Sequence, residues 1–204
     1  MRELEAPAPA PAPAPGRRSL GPLVARFDRR VDLAMERWRG RPVPDRIMLT
    51  ASHLGDFSLV WHIVNVSRGL TSPRRAGQVP VLALALGAES LLVNQGLKRL
   101  FHRPRPTLEG DPRLPVRRPS TSAFPSGHAS AAAFTATVLT GWDGWRAAPL
   151  WWGLGTTVAA SRAYVRIHHP SDVVAGMAVG AGLGLTARLL RRECRRRGRR
   201  WNVT

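Results

Sequence analysis

Three observations in the 204-residue chain predict an all-α integral membrane bundle of about six helices, five spanning and one lying at the interface. Five apolar stretches, at about residues 47–66, 79–97, 124–140, 148–165 and 173–190, come close to the roughly 20 residues a bilayer helix needs. Charged residues make up 22% of the chain, yet they gather at its ends and between these stretches. The last three stretches are filled with small residues, as in Ala129-Ser130-Ala131-Ala132-Ala133 and Gly176, Gly180, Gly182 and Gly184, which let helix backbones approach closely in lipid. A soluble all-α domain is the competing class. It would need polar faces on most of its helices, and residues 79–90 and 176–185 offer almost none.

Residues 1–18 precede the bundle, and the Ala/Pro alternation within them favours extended polyproline conformations that pack no core, so they are read as a disordered tether. No apolar signal segment is visible there. Leu20, Leu23, Val24, Phe27, Val31, Ala34, Met35 and Trp38 then recur at helical spacing, with Arg26, Asp28, Arg29, Arg30, Asp32, Glu36 and Arg37 on the other face. That helix carries too many charges to span lipid and is placed at the interface. Residues 19–190 form the membrane domain, and 191–204 a basic tail.

The formal net charge of +18 calls for an anionic partner. The aromatic cluster Trp142, Trp145, Trp151 and Trp152 flanks an apolar run and forms no basic-aromatic platform, so membrane and phosphorylated lipid are expected rather than nucleic acid. Cys194 is the single cysteine and allows no intrachain disulfide. Arg191, Arg192, Arg195, Arg196, Arg197, Arg199 and Arg200 follow the last span, and Arg68, Arg74 and Arg75 fall on the same side, which the positive-inside rule makes cytoplasmic. Two features run against this orientation. The basic loop 99–118 and the basic N-terminal region would both lie outside, and a sixth span or an N-terminal helix entering the bundle is the alternative for the latter.

On the opposite, extracytoplasmic side fall three motifs: Lys98-x6-Arg105-Pro106, Pro125-Ser126-Gly127-His128 and Ser161-Arg162-x5-His168-x3-Asp172. Lys98 is the only lysine among 31 Lys and Arg residues, a compact ammonium in a chain that otherwise uses planar guanidinium groups. In order and spacing the motifs resemble the three signatures of the type-2 phosphatidic acid phosphatase superfamily, which also includes vanadium haloperoxidases and glucose-6-phosphatase. The resemblance covers about residues 98–172 and lacks no specified position. It implies a six-helix membrane bundle whose site, at the membrane edge, removes phosphate from lipid phosphates without a metal or other cofactor.

The residues suit that chemistry. Lys98, Arg105 and Arg162 supply cations for the equatorial oxygens of a transferring phosphoryl group. Ser126 and the Gly127 N–H, at the start of a helix, offer further phosphate donors. His168 is the expected nucleophile, with Asp172 holding one imidazole nitrogen protonated if Pro170 opens a helix. His128 is the expected acid for the leaving alcohol and then the base for water.

His102 and Arg103 read as loop residues, and Asp56, Glu89, Asn94 and Gln95 as polar groups facing the bundle interior, Glu89 being either a pocket residue or a paired structural carboxylate. His53 and His62 have no acidic partner at ligand spacing, so no metal site is expected. The reading is a metal-independent lipid phosphate or diphosphate phosphatase acting through a phosphohistidine on polyprenyl diphosphate, phosphatidate or a related envelope lipid. A vanadate-dependent haloperoxidase and a non-catalytic polybasic membrane scaffold are the competing functions.

Overall fold

The computed structural model describes residues 20–106, 111, 113–116 and 121–201, so the proposed tether and much of the loop 107–120 lie outside the described residues. Six principal helices follow in order: α1 (Pro22–Glu36), α2 (Pro42–Gly69), α3 (Pro73–Leu100), α4 (Gly127–Asp143), α5 (Ala148–Tyr164) and α6 (Pro170–Trp201). Four of the six begin at Pro22, Pro42, Pro73 and Pro170, where a fixed φ suits the first helical turn and the missing N–H is no loss. No strand occurs among the described residues.

The bundle is built around α4, whose residues from Ala129 to Leu139 are all buried. Its closest neighbours are α6 and α5. On α6, Gly176, Gly180 and Gly184 come round every four residues and lie against α4 so closely that a Cβ would press on the Ser126, Ser130 and Phe134 carbonyls. This is small-residue packing, which brings backbones together where no hydrophobic effect separates lipid from leucine. Trp61, Leu82, Leu86, Phe134, Leu139 and Val158 fill the remaining space between α2, α3, α4 and α5. Outside, Leu59, Ile63, Val66, Leu84, Leu92, Leu150, Val174, Leu185 and Leu189 are exposed, giving the bundle an apolar outer surface.

Five helices run between two ends of this bundle, as the five apolar stretches predict. Three of them, α2, α3 and the α6 segment Pro170–Cys194, are long and apolar enough to cross a membrane. At 17 residues each, α4 and α5 extend only about 25 Å and sit at the lower limit for a span. The sixth, α1, is not among the membrane-length helices. It packs on α5 and α6 at the end where α6 begins.

Local structure departs from the sequence reading in four places. The stretch expected as one helix over 47–66 breaks at Asp56–Ser58, where Phe57 (φ 52°) and Ser58 (φ 58°) are left-handed. The residues before the break lie along α5, and those after it along α3 and α4. Helix α3 widens into a π-helix over Leu91–Leu97 just before Lys98. On α1, Asp28 is the one buried residue, whereas Leu23, Phe27 and Leu33 are exposed, as is Trp38 just beyond the helix, so the polar stripe faces the protein. There Asp32 and Glu36 bind Arg39 and Arg166, and Arg113 joins Glu36 to Asp111. Finally, α6 continues as helix through the basic segment to Trp201.

Candidate active site

The three motifs meet at one end of the bundle. Lys98 is buried in the last turn of α3, and its ammonium shares a cavity of about 680 Å3 with His128 and His168. Arg105, on the segment after α3, donates to the Ile167 and Thr121 carbonyls at 2.7 and 3.1 Å, which holds NH1 3.3 Å from His168 Nε2. Ser126 is the N-cap of α4, its hydroxyl accepting from the Ala129 N–H at 3.5 Å and its own N–H donating to the Asp172 carbonyl at 3.0 Å. Gly127 opens the helix beside the same cavity. Arg162, in the last turn of α5, is fully buried. One of its nitrogens donates to the Ser52 carbonyl and hydroxyl at 3.0 and 2.5 Å, while Nε and NH2 have no protein partner. Two unpaired nitrogens on one edge of a guanidinium are the donor pair that a bidentate phosphate contact requires.

His168 precedes α6, and Pro170 does open that helix, with Asp172 in its first turn. The expected contact is approached but not closed: His168 Nδ1 lies 3.7 Å from Asp172 Oδ2, beyond hydrogen-bond distance, and has no other partner. The reason is that His168 lies outside the helix, so the i+4 spacing is not the helical one. Asp172 Oδ2 instead accepts the His169 backbone N–H at 2.8 Å. Catalytic hydrogen bonds are often long without substrate and tighten in the complex. Burial pushes the His168 imidazole down to about 3, Asp172 pulling the other way, so the ring is neutral with a nitrogen lone pair to offer. Its Nε2 is the nitrogen on the Arg105 side.

Four charged residues outside the motifs complete the arrangement. Asp56, at the break in α2, holds His128 Nε2 at 2.9 Å and stands 3.6 Å from Arg162. Gly55 makes room for this pair, since a Cβ there would lie 2.9 Å from His128 Cδ2. Each of the two histidines therefore has a carboxylate facing one ring nitrogen, leaving the other for proton or phosphoryl chemistry. Arg103, read from sequence as a loop residue, donates to Asp172 Oδ1 at 2.5 Å, to Ser171 Oγ at 2.7 Å and to Asp28 Oδ2 at 2.7 Å. Asp28 in turn accepts from the Ser171 N–H and hydroxyl, which locks α1 onto the start of α6. Glu89 lines the cavity and accepts the Ser130 hydroxyl, so it is both a pocket wall and a paired carboxylate. The clue to Asp56 in the sequence was its position, a carboxylate in an apolar span; Asp28, one of three acidic residues on α1, had no such mark.

The cavity does not end at the polar groups. Ala83, Leu86 and Gly87 of α3 and Ala131 of α4 continue its wall, so it carries Lys98 and the two histidines at one end and apolar wall from α3 and α4 at the other, while Arg105 and Arg162 stand behind the lining. Such a helical membrane protein, with cations and paired histidines gathered at the edge of its bundle, is of the kind that handles phosphorylated lipids. The PAP2 superfamily profile matches residues 79–196. The chain is 34% identical over 136 residues to decaprenylphosphoryl-5-phosphoribose phosphatase of Mycobacterium tuberculosis, covering 65% of this chain and 72% of that one. With the Mycolicibacterium smegmatis protein of the same name it shares 33% over 128 residues, 61% and 67% of the two chains. Its fold is similar to a transmembrane PAP2-type phosphatidylglycerolphosphate phosphatase from Bacillus subtilis (TM-score 0.66, 22% identity, 85% of this chain and 89% of that one). It is also similar to Aquifex aeolicus LpxE (TM-score 0.64, 23% identity, 82% and 96%). The chain belongs to the PAP2 superfamily.

Proposed function

We propose that this PAP2 phosphatase hydrolyses a lipid phosphate or diphosphate at the extracytoplasmic face of the cell membrane through a phosphohistidine on His168. The observation that carries the reading is the cavity that joins Lys98, His128 and His168 to an apolar slot between α3 and α4. Arg105, Arg162, Lys98 and the Ser126–Gly127 helix start take the phosphate oxygens, a role supported by the closeness of Arg105 to His168, by Lys98 on the cavity wall and by the two nitrogens of Arg162 that have no protein partner. His168 Nε2 attacks phosphorus in line while Asp172 stabilises the proton on Nδ1. The P–O bond to the rest of the lipid breaks, and His128 gives its proton to the departing oxygen, that of an alcohol in a monoester or of the remaining phosphate in a diphosphate. The same residue then takes a proton from water, whose oxygen displaces His168 and releases inorganic phosphate.

A polyprenyl-linked sugar phosphate of the kind named for the mycobacterial relatives is the substrate class we favour, because a long isoprenoid suits a lateral slot. Polyprenyl diphosphate and phosphatidate are the other candidates. The clustering of Arg68, Arg74, Arg75, Arg188, Arg191 and Arg192 at the end away from His168 supports the orientation. The test is phosphate release by the purified protein from a panel of these lipids with EDTA present. Retained activity supports the metal-free route, and activity lost on chelation and restored by magnesium refutes it. Peroxide-dependent halogenation in place of phosphate release would overturn the phosphatase assignment.

A further inference from the structure

A second cavity, of about 140 Å3, lies between Arg74 and Gln78 of α3, Trp142 at the end of α4, and Arg188 and Arg192 of α6. From His128 to Trp142 along α4 is about 21 Å, and from Asp172 to Arg188 along α6 about 24 Å, so this cavity is at the other end of the bundle from the catalytic site. Its volume is well below the roughly 300–1,000 Å3 of pockets that enclose a whole small molecule, which leaves room for a headgroup and not for a chain.

Its electrostatics are one-sided. Asp143, the carboxylate at the end of α4, is already engaged by Arg68 at 2.7 and 2.5 Å and approached by Arg75 at 3.8 Å. Arg74, Arg188 and Arg192 form no ion pair among the described residues. Two features hold the cationic wall in place. The Trp142 ring is stacked by the Arg191 guanidinium at 4.5 Å and met by Arg68 at 5.5 Å. Gly141 lets Arg188 lie across α4, where any Cβ would collide with its guanidinium. One lining group asks for a donor: Gln78 is 4% exposed, and its Oε1 is buried with no hydrogen-bond partner. Beside the cavity, Leu185, Leu189 and Leu190 of α6 are exposed, an apolar flank along which acyl chains can rest.

We propose that this cavity binds the phosphodiester headgroup of an anionic phospholipid in the leaflet opposite the catalytic site. Phosphate oxygens accept from Arg74, Arg188 and Arg192, and a headgroup hydroxyl donates to Gln78 Oε1. Basic pockets between spanning helices near a charged membrane surface have the chemistry for this. The ligand is a diester, so it is bound there and not cut, and the site is independent of the reaction assigned to His168.

The test is native mass spectrometry of the full-length protein titrated with phosphatidylglycerol or phosphatidylcholine, alongside phosphatase assays in zwitterionic micelles. Phosphatidylglycerol should bind selectively, and Arg74→Gln/Arg188→Gln should weaken it about tenfold or more while kcat is unchanged. Gly141→Ala, which keeps every charge but displaces Arg188, should weaken it several-fold and carries the test if the double variant does not fold. Equal phosphatidylglycerol affinity in all three proteins overturns the proposal. Millimolar inorganic phosphate displacing the lipid from the wild type, with free phosphate the tighter ligand, overturns the lipid assignment in favour of a soluble anion.

Discussion

Arg103→Gln probes the link between α1 and His168, the proposed nucleophile. The guanidinium joins two carboxylates, Asp172 (fully buried) and Asp28 (9% exposed side chain), and is itself only 10% exposed. Removing it leaves both anions without their shared cation, and loss of one partner from a buried pair costs about 3–5 kcal/mol. For a chain of this size that is a fall in Tm on the order of 10 °C. Catalysis should suffer separately, because Asp172 loses the contact that aims it at His168, and a displacement of about 1 Å near a reacting group costs on the order of 100-fold. The assay pairs thermal unfolding in detergent with phosphate release for Arg103→Gln, Asp28→Asn and the double variant. In the double variant one of the two stranded charges is gone, so its destabilisation should be smaller than the sum of the single losses by about 1–3 kcal/mol. The kcat of Arg103→Gln should fall with KM little changed. Strict additivity, or a variant as stable and active as the wild type, would refute the shared-cation argument.

Other outcomes follow from the same geometry. His168→Ala should abolish turnover and leave no phosphate trapped on the acid-quenched protein, whereas His128→Ala should slow turnover by about 10²–10⁴-fold and accumulate trapped phosphate; rapid-quench measurements with labelled substrate separate the two. Asp56→Asn should lower kcat about 10–100-fold by releasing His128 and the field on Arg162, and an unchanged kcat would show the 2.9 Å contact to be idle. The folded-state pKa of His168 lies at about 3, below the ordinary 6.5, so its contribution to stability is fully present above pH 6.5 and is lost as pH falls toward 3. His168→Asn should therefore flatten the acid decline of Tm over that range, and an undiminished decline would assign it elsewhere. Gly180→Leu should separate α6 from α4 at the Ser130 carbonyl and lower Tm more than the same change at Gly182, which faces open space.

Much of the fold was legible because apolar stretches and turn residues report directly on spans. Pro170 and Ser126 marked helix starts, and the small residues of α6 announced its close packing on α4. The motif residues could be placed at helix ends for the same reason. The break at Asp56–Ser58 was not legible, since its left-handed residues are phenylalanine and serine and the single Gly55 before them lies inside an otherwise apolar run. Nor was the π-helix at Leu91–Leu97, whose residues fit an α-helix equally well. Arg103 and Asp28 escaped because they are 75 positions apart and surrounded by other charges, so only folding reveals which pair is buried. The 3.7 Å gap between His168 and Asp172 was hidden in a spacing that would be helical if the helix began two residues earlier.

The short reach of α4 and α5 also sets how the protein meets its solvent. Both extend about 25 Å, against roughly 30 Å of hydrocarbon, while α2 and α3 have 28 residues each. The middle of α4 is enclosed by its neighbours, so it is around α5, where Leu150 is exposed, that the bilayer must thin, at a cost of fractions of a kcal/mol per ångström. Thickness of the host membrane thereby becomes a variable of the enzyme: lengthening the acyl chains of the surrounding lipid raises that cost at α5, while α2 and α3 are long enough to span the thicker layer.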